Sequence, residues 1–146
     1  TLTRISRSLG YSYDETQAMI ARSFMISADN GHALHPNHGE YADPVNAPRL
    51  NEGIVIKFNA QQKYATDGFS AAFFRDLCRR AKVPTQTFTN RSDIPGGSTL
   101  GNISTTKVSM PPVDIGLPQL AMHSSYETAG TKDTAYLVMA CTALFE

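Results

Sequence analysis

Apolar and polar positions fall in short blocks along this chain, and the period changes from block to block. Ser12-Tyr13-Asp14-Glu15 has the spacing of a capping box, in which a hydroxyl and a carboxylate satisfy each other's backbone amides. Ala18, Met19 and Arg22 follow at helical spacing and predict a helix over 14–23. Phe24-Met25-Ile26 is a short apolar run that ends in Ser27-Ala28-Asp29-Asn30, the pattern of a buried strand whose last residues face a site. Ile54-Val55-Ile56-Lys57-Phe58 is rich in β-branched residues and predicts a strand. Over 66–81, Phe69, Ala72, Phe73 and Leu77 predict one apolar helix face. Thr85–Thr89 and Val113–Leu117 predict further strands, a glycine turn at 95–99 opens a short helix to about Lys107, and Thr131–Phe145 predicts a last helix with Ala135, Val138, Met139 and Leu144 apolar.

Between Gly31 and Gly53, Pro36, Pro44 and Pro48 forbid a long regular element. A loop of that length in a single domain is functional or disordered. Strands alternating with helices predict an α/β fold with a sheet flanked by helices. No linker or internal repeat divides the 146 residues.

Composition narrows the function classes. At 41% hydrophobic and 18% charged, the chain is neither disordered nor a coiled coil. Thirteen basic residues balance thirteen acidic ones, which argues against nucleic-acid binding through a broad basic surface. No apolar run approaches the ~18 residues of a membrane span. Cys78 and Cys141 make no disulfide framework and fit a reducing compartment. The chain opens on Thr1 with no signal-peptide pattern and stops after Ala143-Leu144-Phe145; we expect a piece of a longer polypeptide.

The candidate chemistry is concentrated. His32, His35 and His38 lie in one loop beside Asp29, a set that suits a divalent metal of the Zn, Mn or Co type. The same histidines can equally be solvated or bonded to loop backbone. His123 stands alone between apolar residues and hydroxyls, as a satisfied structural residue or a ligand, and Glu127 four residues on either bonds its imidazole or is a surface residue. Lys57 either snorkels to solvent or points into a site. Gly96-Gly97 permits close backbone approach but lacks the lysine of a P-loop, and Ser98 lacks a nucleophile elbow. Cys78 sits in a helix beside Arg79 and Arg80, which favour a thiolate, yet no His lies nearby in sequence and packing is the better reading.

Four strings occur together: Ser27 to His38 (SADNGHALHPNH), Gly53-Ile54-Val55-Ile56-Lys57 with Gln62 to Thr66, Asn90 to Gly101 (NRSDIPGGSTLG), and Asp114 to Ser124 (DIGLPQLAMHS). Together they resemble the C-terminal part of the catalytic domain of the aspartyl aminopeptidase / aminopeptidase I family of dinuclear metallo-aminopeptidases. The resemblance implies the C-terminal portion of a zinc-peptidase-type α/β/α sandwich. It implies two divalent ions per complete site, zinc first, with manganese or cobalt as alternatives. It makes Asp29 and His123 metal ligands, and His32, Lys57 and Tyr64 substrate contacts. It puts Gly96 and Gly97 in the segment that shapes the substrate pocket, and gives His35 no firm role.

The family's first His, bridging Asp, Glu-Glu pair and inserted assembly domain are expected upstream of residue 1. The general base is therefore not in this chain, which alone should be inactive. The complete protein would be a cytoplasmic homo-oligomer, a tetrahedral dodecamer, removing N-terminal Asp or Glu, or neutral residues, from peptides. The alternative is a non-catalytic, self-associating α/β module with a structural metal or none.

Overall fold

Ile54, Val55 and Ile56 are wholly excluded from solvent, and the fold is assembled around them. The computed structural model describes residues 1–146. Its elements are α1 (Leu2–Ser8), α2 (Tyr13–Ala21), β1 (Met25–Ala28), β2 (Gly31–His32), β3 (Ile54–Phe58), α3 (Gly68–Arg80), β4 (Thr85–Thr89), α4 (Leu100–Thr105), β5 (Pro112–Gly116), β6 (Pro118–Leu120), β7 (Thr128–Ala129) and α5 (Thr131–Phe145). Four strands form a sheet in the order β1-β5-β3-β4, and β2-β6-β7 form a smaller one. β1 with β5 and β3 with β4 are parallel, whereas β3 with β5 is antiparallel, so the sheet is mixed.

Alternation along β3 divides the molecule into two sides. Ile54 and Ile56 join Val113 and Ile115 against Ala71, Phe74, Leu77 and Cys78 of α3 and Ala140 of α5. Val55 faces the other way and packs with Tyr64 and Phe88. α4 lies on that second side, where Gly101 abuts Asp114 of β5. The chain is thus α/β, a mixed sheet flanked by helices.

The capping box forms as expected: Ser12 Oγ accepts from Glu15 N at 3.3 Å and Glu15 Oε2 accepts from Ser12 N at 2.8 Å. α3 begins at Gly68 rather than residue 66 because Asp67 caps it, accepting from Ser70 N at 2.7 Å. Its buried face is Ser70, Ala71, Phe74, Leu77 and Cys78. Phe69 and Ala72 point outward, and Phe73 is half-buried against Phe24, correcting the face read from periodicity. α5 has the expected bounds, but Val138 and Met139 are exposed, and only Asp133 and Ala140 are buried. β1 starts and ends later than the apolar run suggested. The strand expected over 113–117 is two strands, because the chain passes from one sheet to the other after Gly116. α1 was not expected; its Leu2 and Ile5 are exposed and signal no core face.

The long loop is irregular apart from β2 and one 3-10 turn at Gly39–Tyr41. Its far end is pinned from two sides. The Gln86 side chain accepts from Arg49 N at 2.8 Å and donates to Arg49 O and Gly53 O at 2.9 and 3.0 Å. Buried Asp133 accepts from Asn51 N at 2.7 Å and Gly53 N at 3.0 Å. Gly53 has φ +114°, and a Cβ there would stand 2.2 Å from Pro84 O, so no other residue fits. Both cysteines are free, and burial pushes the Cys78 thiol up to about 12, which makes it a packing residue. No helix is long and apolar enough to cross a membrane.

Candidate functional site

Parallel pairing is what brings the separated motifs together. β1 runs beside β5, and β2 beside β6 in the same sense, so the two stretches travel as one pair across the change of sheet. At the crossing Asp29 N donates to Ile115 O and Gly31 N to Leu117 O, each at 3.0 Å. Asp29 and Asn30 occupy this crossing, just past the carboxyl end of β1, where open α/β sheets gather ligands. The approach requires Gly116, since a Cβ there would lie 1.9 Å from Asp29 O.

β6 continues into a hairpin closed by β7, and His123 sits in its tip. Ala121 and His123 both have positive φ, +52° and +66°, a conformation non-glycine residues hold only where the surroundings impose it. Glu127 contributes by accepting from His123 N at 2.7 Å. Its partner is therefore the backbone amide, not the imidazole that spacing suggested.

Lys57 does not snorkel. It lies on the Val55 side of β3, is 2% exposed, and donates from Nζ to Asn30 O at 2.9 Å. The ammonium stands 5.5 Å from the Tyr64 ring centre. Burial lowers its pKa, against the opposing charges of Asp29 and Asp114. Burial, then the same two carboxylates, raise that of Tyr64, so its phenol keeps its proton at neutral pH and can donate. Burial first, then His123 and Lys57, hold the imidazole of His32 below its ordinary value.

Asp29, His32, Lys57, Tyr64, Gly97 and His123 all line one cavity of about 570 Å³. His35, His38 and Tyr41 form its outer wall, with ring centres 5.0 and 5.7 Å apart along the series. His38 Nδ1 lies 3.0 Å from Glu40 Oε1, and Arg91 donates to the Glu40 carbonyl while gripping Asp93 with both arms of its guanidinium. Gly96 does not line this cavity. It lines a second one of about 670 Å³ on the other side of the 90–96 segment, and its carbonyl accepts from Lys63 Nζ at 2.8 Å.

No group of three or more His, Cys, Asp or Glu side chains able to hold a metal ion is assembled. Asp29 and His123 offer an oxygen and a nitrogen donor to one cavity, chemistry that suits zinc. They fit as a share of a metal site, not as a whole one. Phe88 also lines the cavity and carries no motif signal, while Asn90, Arg91 and Met122 line it from within the quoted strings without an assigned role. Asp114 heads its string without an assigned role, although a lone carboxylate in an apolar strand is itself a signal.

Comparison with known proteins gives the family and the fold. The family described as "Aminopeptidase I zinc metalloprotease (M18)" matches residues 1–145. A "Probable M18 family aminopeptidase 2" of Clostridium acetobutylicum is 49% identical over 136 residues, 93% of this chain and 31% of the relative. A protein of the same name from Stutzerimonas stutzeri is 46% identical over 144 residues, 99% of this chain and 34% of the relative. The chain spans about a third of the length of the curated relatives it matches. Among solved structures, the Ape4 and Nbr1 complex contains a chain with TM-score 0.94 and 38% identity, covering 99% of this chain and 27% of that one. The Saccharomyces cerevisiae mApe1 dodecamer matches with TM-score 0.78 and 28% identity, covering 88% of this chain and 28% of that one.

Proposed function

The chain belongs to the aminopeptidase I zinc metalloprotease (M18) family, and from that premise we infer that it is the C-terminal part of the catalytic domain of a zinc-dependent aminopeptidase. One observation carries the reading. Residues from two separate motifs, Asp29 and His32, then Lys57 and Tyr64, and His123 from the β6–β7 hairpin converge on one cavity at the carboxyl end of β1.

Asp29 and His123 would hold metal, with the remaining ligands and the general base supplied by the part of the protein outside this chain. Zinc held there, as one of two ions, would supply Lewis-acid chemistry for a peptide carbonyl and the attacking water. Lys57 places a desolvated positive charge where an acidic side chain or a developing oxyanion can reach it. Tyr64 donates a hydrogen bond from a phenol that stays protonated. His32, held neutral more readily than a free imidazole, offers a donor or an acceptor without adding repulsion toward Lys57. Gly97 leaves room for substrate backbone, and Gly96 shapes the pocket from behind through its tie to Lys63.

Lys57 in the cavity lining, with Arg91 beside it already paired to Asp93, supports N-terminal Asp or Glu over neutral residues. The working form is proposed to be a cytoplasmic homo-oligomer, a tetrahedral dodecamer, in keeping with the dodecameric yeast structure that resembles it.

The test is peptide hydrolysis by the complete protein. Peptides with free N-terminal Asp or Glu should lose that residue, N-acetylated ones should be inert, and chelation should stop the reaction. Cleavage inside acetylated peptides, or full activity after chelation, would refute the reading.

A further inference from the structure

Two carboxylates are wholly buried, Asp114 and Asp133. Asp133 is accounted for by the loop it pins. Asp114 lies in β5 between Val113 and Ile115, both fully buried, and a carboxylate there is strongly destabilising unless its oxygens are satisfied. They are satisfied by two different segments. Oδ2 accepts from Ala65 N at 2.6 Å, and Oδ1 accepts from the Thr99 hydroxyl at 2.7 Å. The Asp114 amide donates to Thr66 Oγ1 at 2.9 Å. Gly101 lets the α4 backbone close over the carboxylate, since a Cβ there would stand 2.4 Å from Oδ2 and 2.5 Å from Oδ1.

Both segments carry residues of the cavity. Ala65 directly follows Tyr64, and Thr99 is two residues beyond Gly97. Neither segment belongs to a helix or a strand, so no backbone ladder fixes how far apart they stand. The bonds that do so are those of Asp114 and the Lys63–Gly96 tie at 2.8 Å.

We propose that Asp114 is a positioning residue that fixes the spacing between Tyr64 and the Gly97–Thr99 wall, and with it the width of the pocket for the substrate's N-terminal residue. This rests on the aminopeptidase reading for its consequence, but not for the tie itself. Asp114 touches no substrate; it acts through Ala65 and Thr99.

The test compares Thr99→Val, which keeps the shape and removes the hydroxyl, with Thr99→Ser, which keeps the hydroxyl, both in the complete protein. Amide exchange at Ala65 is read alongside KM and kcat. Loss of a bond to a charged group should speed exchange at Ala65 about tenfold in Thr99→Val, although Thr99 does not bond that amide. KM should rise about tenfold while kcat moves less than about twofold, and Thr99→Ser should restore both. Asp114→Asn should shift the same readouts further; if it fails to fold, Thr99→Val decides alone. Unchanged exchange at Ala65 in Thr99→Val overturns the proposal, as does faster exchange with an unaltered KM in an active enzyme. Faster exchange in a protein that releases no N-terminal residue upholds the tie and overturns only the aminopeptidase reading.

Discussion

The ammonium of Lys57 donates to the carbonyl of Asn30 at 2.9 Å, so β3 and the crossing that carries Asp29 share one buried cation. That contact spans 27 residues of sequence and explains why a lysine interrupts an apolar strand. It also explains Gly31, where a Cβ would approach Lys57 Cε to 3.2 Å and crowd the side chain.

Removing that charge should separate substrates by the charge of their first residue. Lys57→Met keeps the buried stem and deletes the cation. We expect kcat/KM in the complete enzyme to fall about 10- to 100-fold for peptides beginning with Asp or Glu. Peptides beginning with Ala or Leu should change several-fold less. Steady-state kinetics on the two peptide series checks this, and an equal loss on both would assign Lys57 to the oxyanion instead. Gly31→Ala should give a weaker effect of the same kind.

Stability should depend sharply on Asp133. Its carboxylate accepts from Asn51 N and Gly53 N at 2.7 and 3.0 Å in a fully buried position. Asp133→Ala leaves both amides without partners and should cost about 2–4 kcal/mol. Urea unfolding of the complete protein measures it. Asp133→Asn should cost less, because its amide oxygen still accepts one of the two bonds.

The cysteines should behave differently toward alkylation and alkali. Burial raises the Cys78 thiol from an ordinary 9.0 to about 12, while Cys141 is half-buried. At pH 8 iodoacetamide should modify Cys141 and spare Cys78 in the native protein, as peptide mass analysis can show. Between pH 9 and about 12 the unfolded chain gives up the Cys78 proton while the folded chain keeps it. The unfolded state then binds fewer protons, so stability falls as pH rises through that window. Cys78→Ala should flatten that part of the pH–stability profile.

Strong local signals were legible. β3, β4 and α5 occupy their expected bounds, because β-branched runs and a long apolar period leave few alternatives. The capping box placed α2. What a single chain does not display is pairing. The parallel register of β1–β2 with β5–β6 is long-range, and it decides that Asp29 and His123 share a cavity. The strands of two or three residues, β2, β6 and β7, are set by their partners and have no pattern of their own. The helix face of α3 departs from the periodicity because Phe69 and Ala72 are apolar yet exposed. Glu127 is an exposed residue that bonds the backbone amide of His123, and spacing alone cannot distinguish that amide from the imidazole.

Asp29 and His123 are proposed as this chain's share of a zinc site completed elsewhere in the protein. Metal content is the direct measure. Complete wild-type protein should carry about two zinc ions per subunit by elemental mass spectrometry. Asp29→Ala and His123→Ala should each lower that content and abolish peptidase activity, with the fold intact by circular dichroism. Zinc content equal to wild type in both variants would contradict the account.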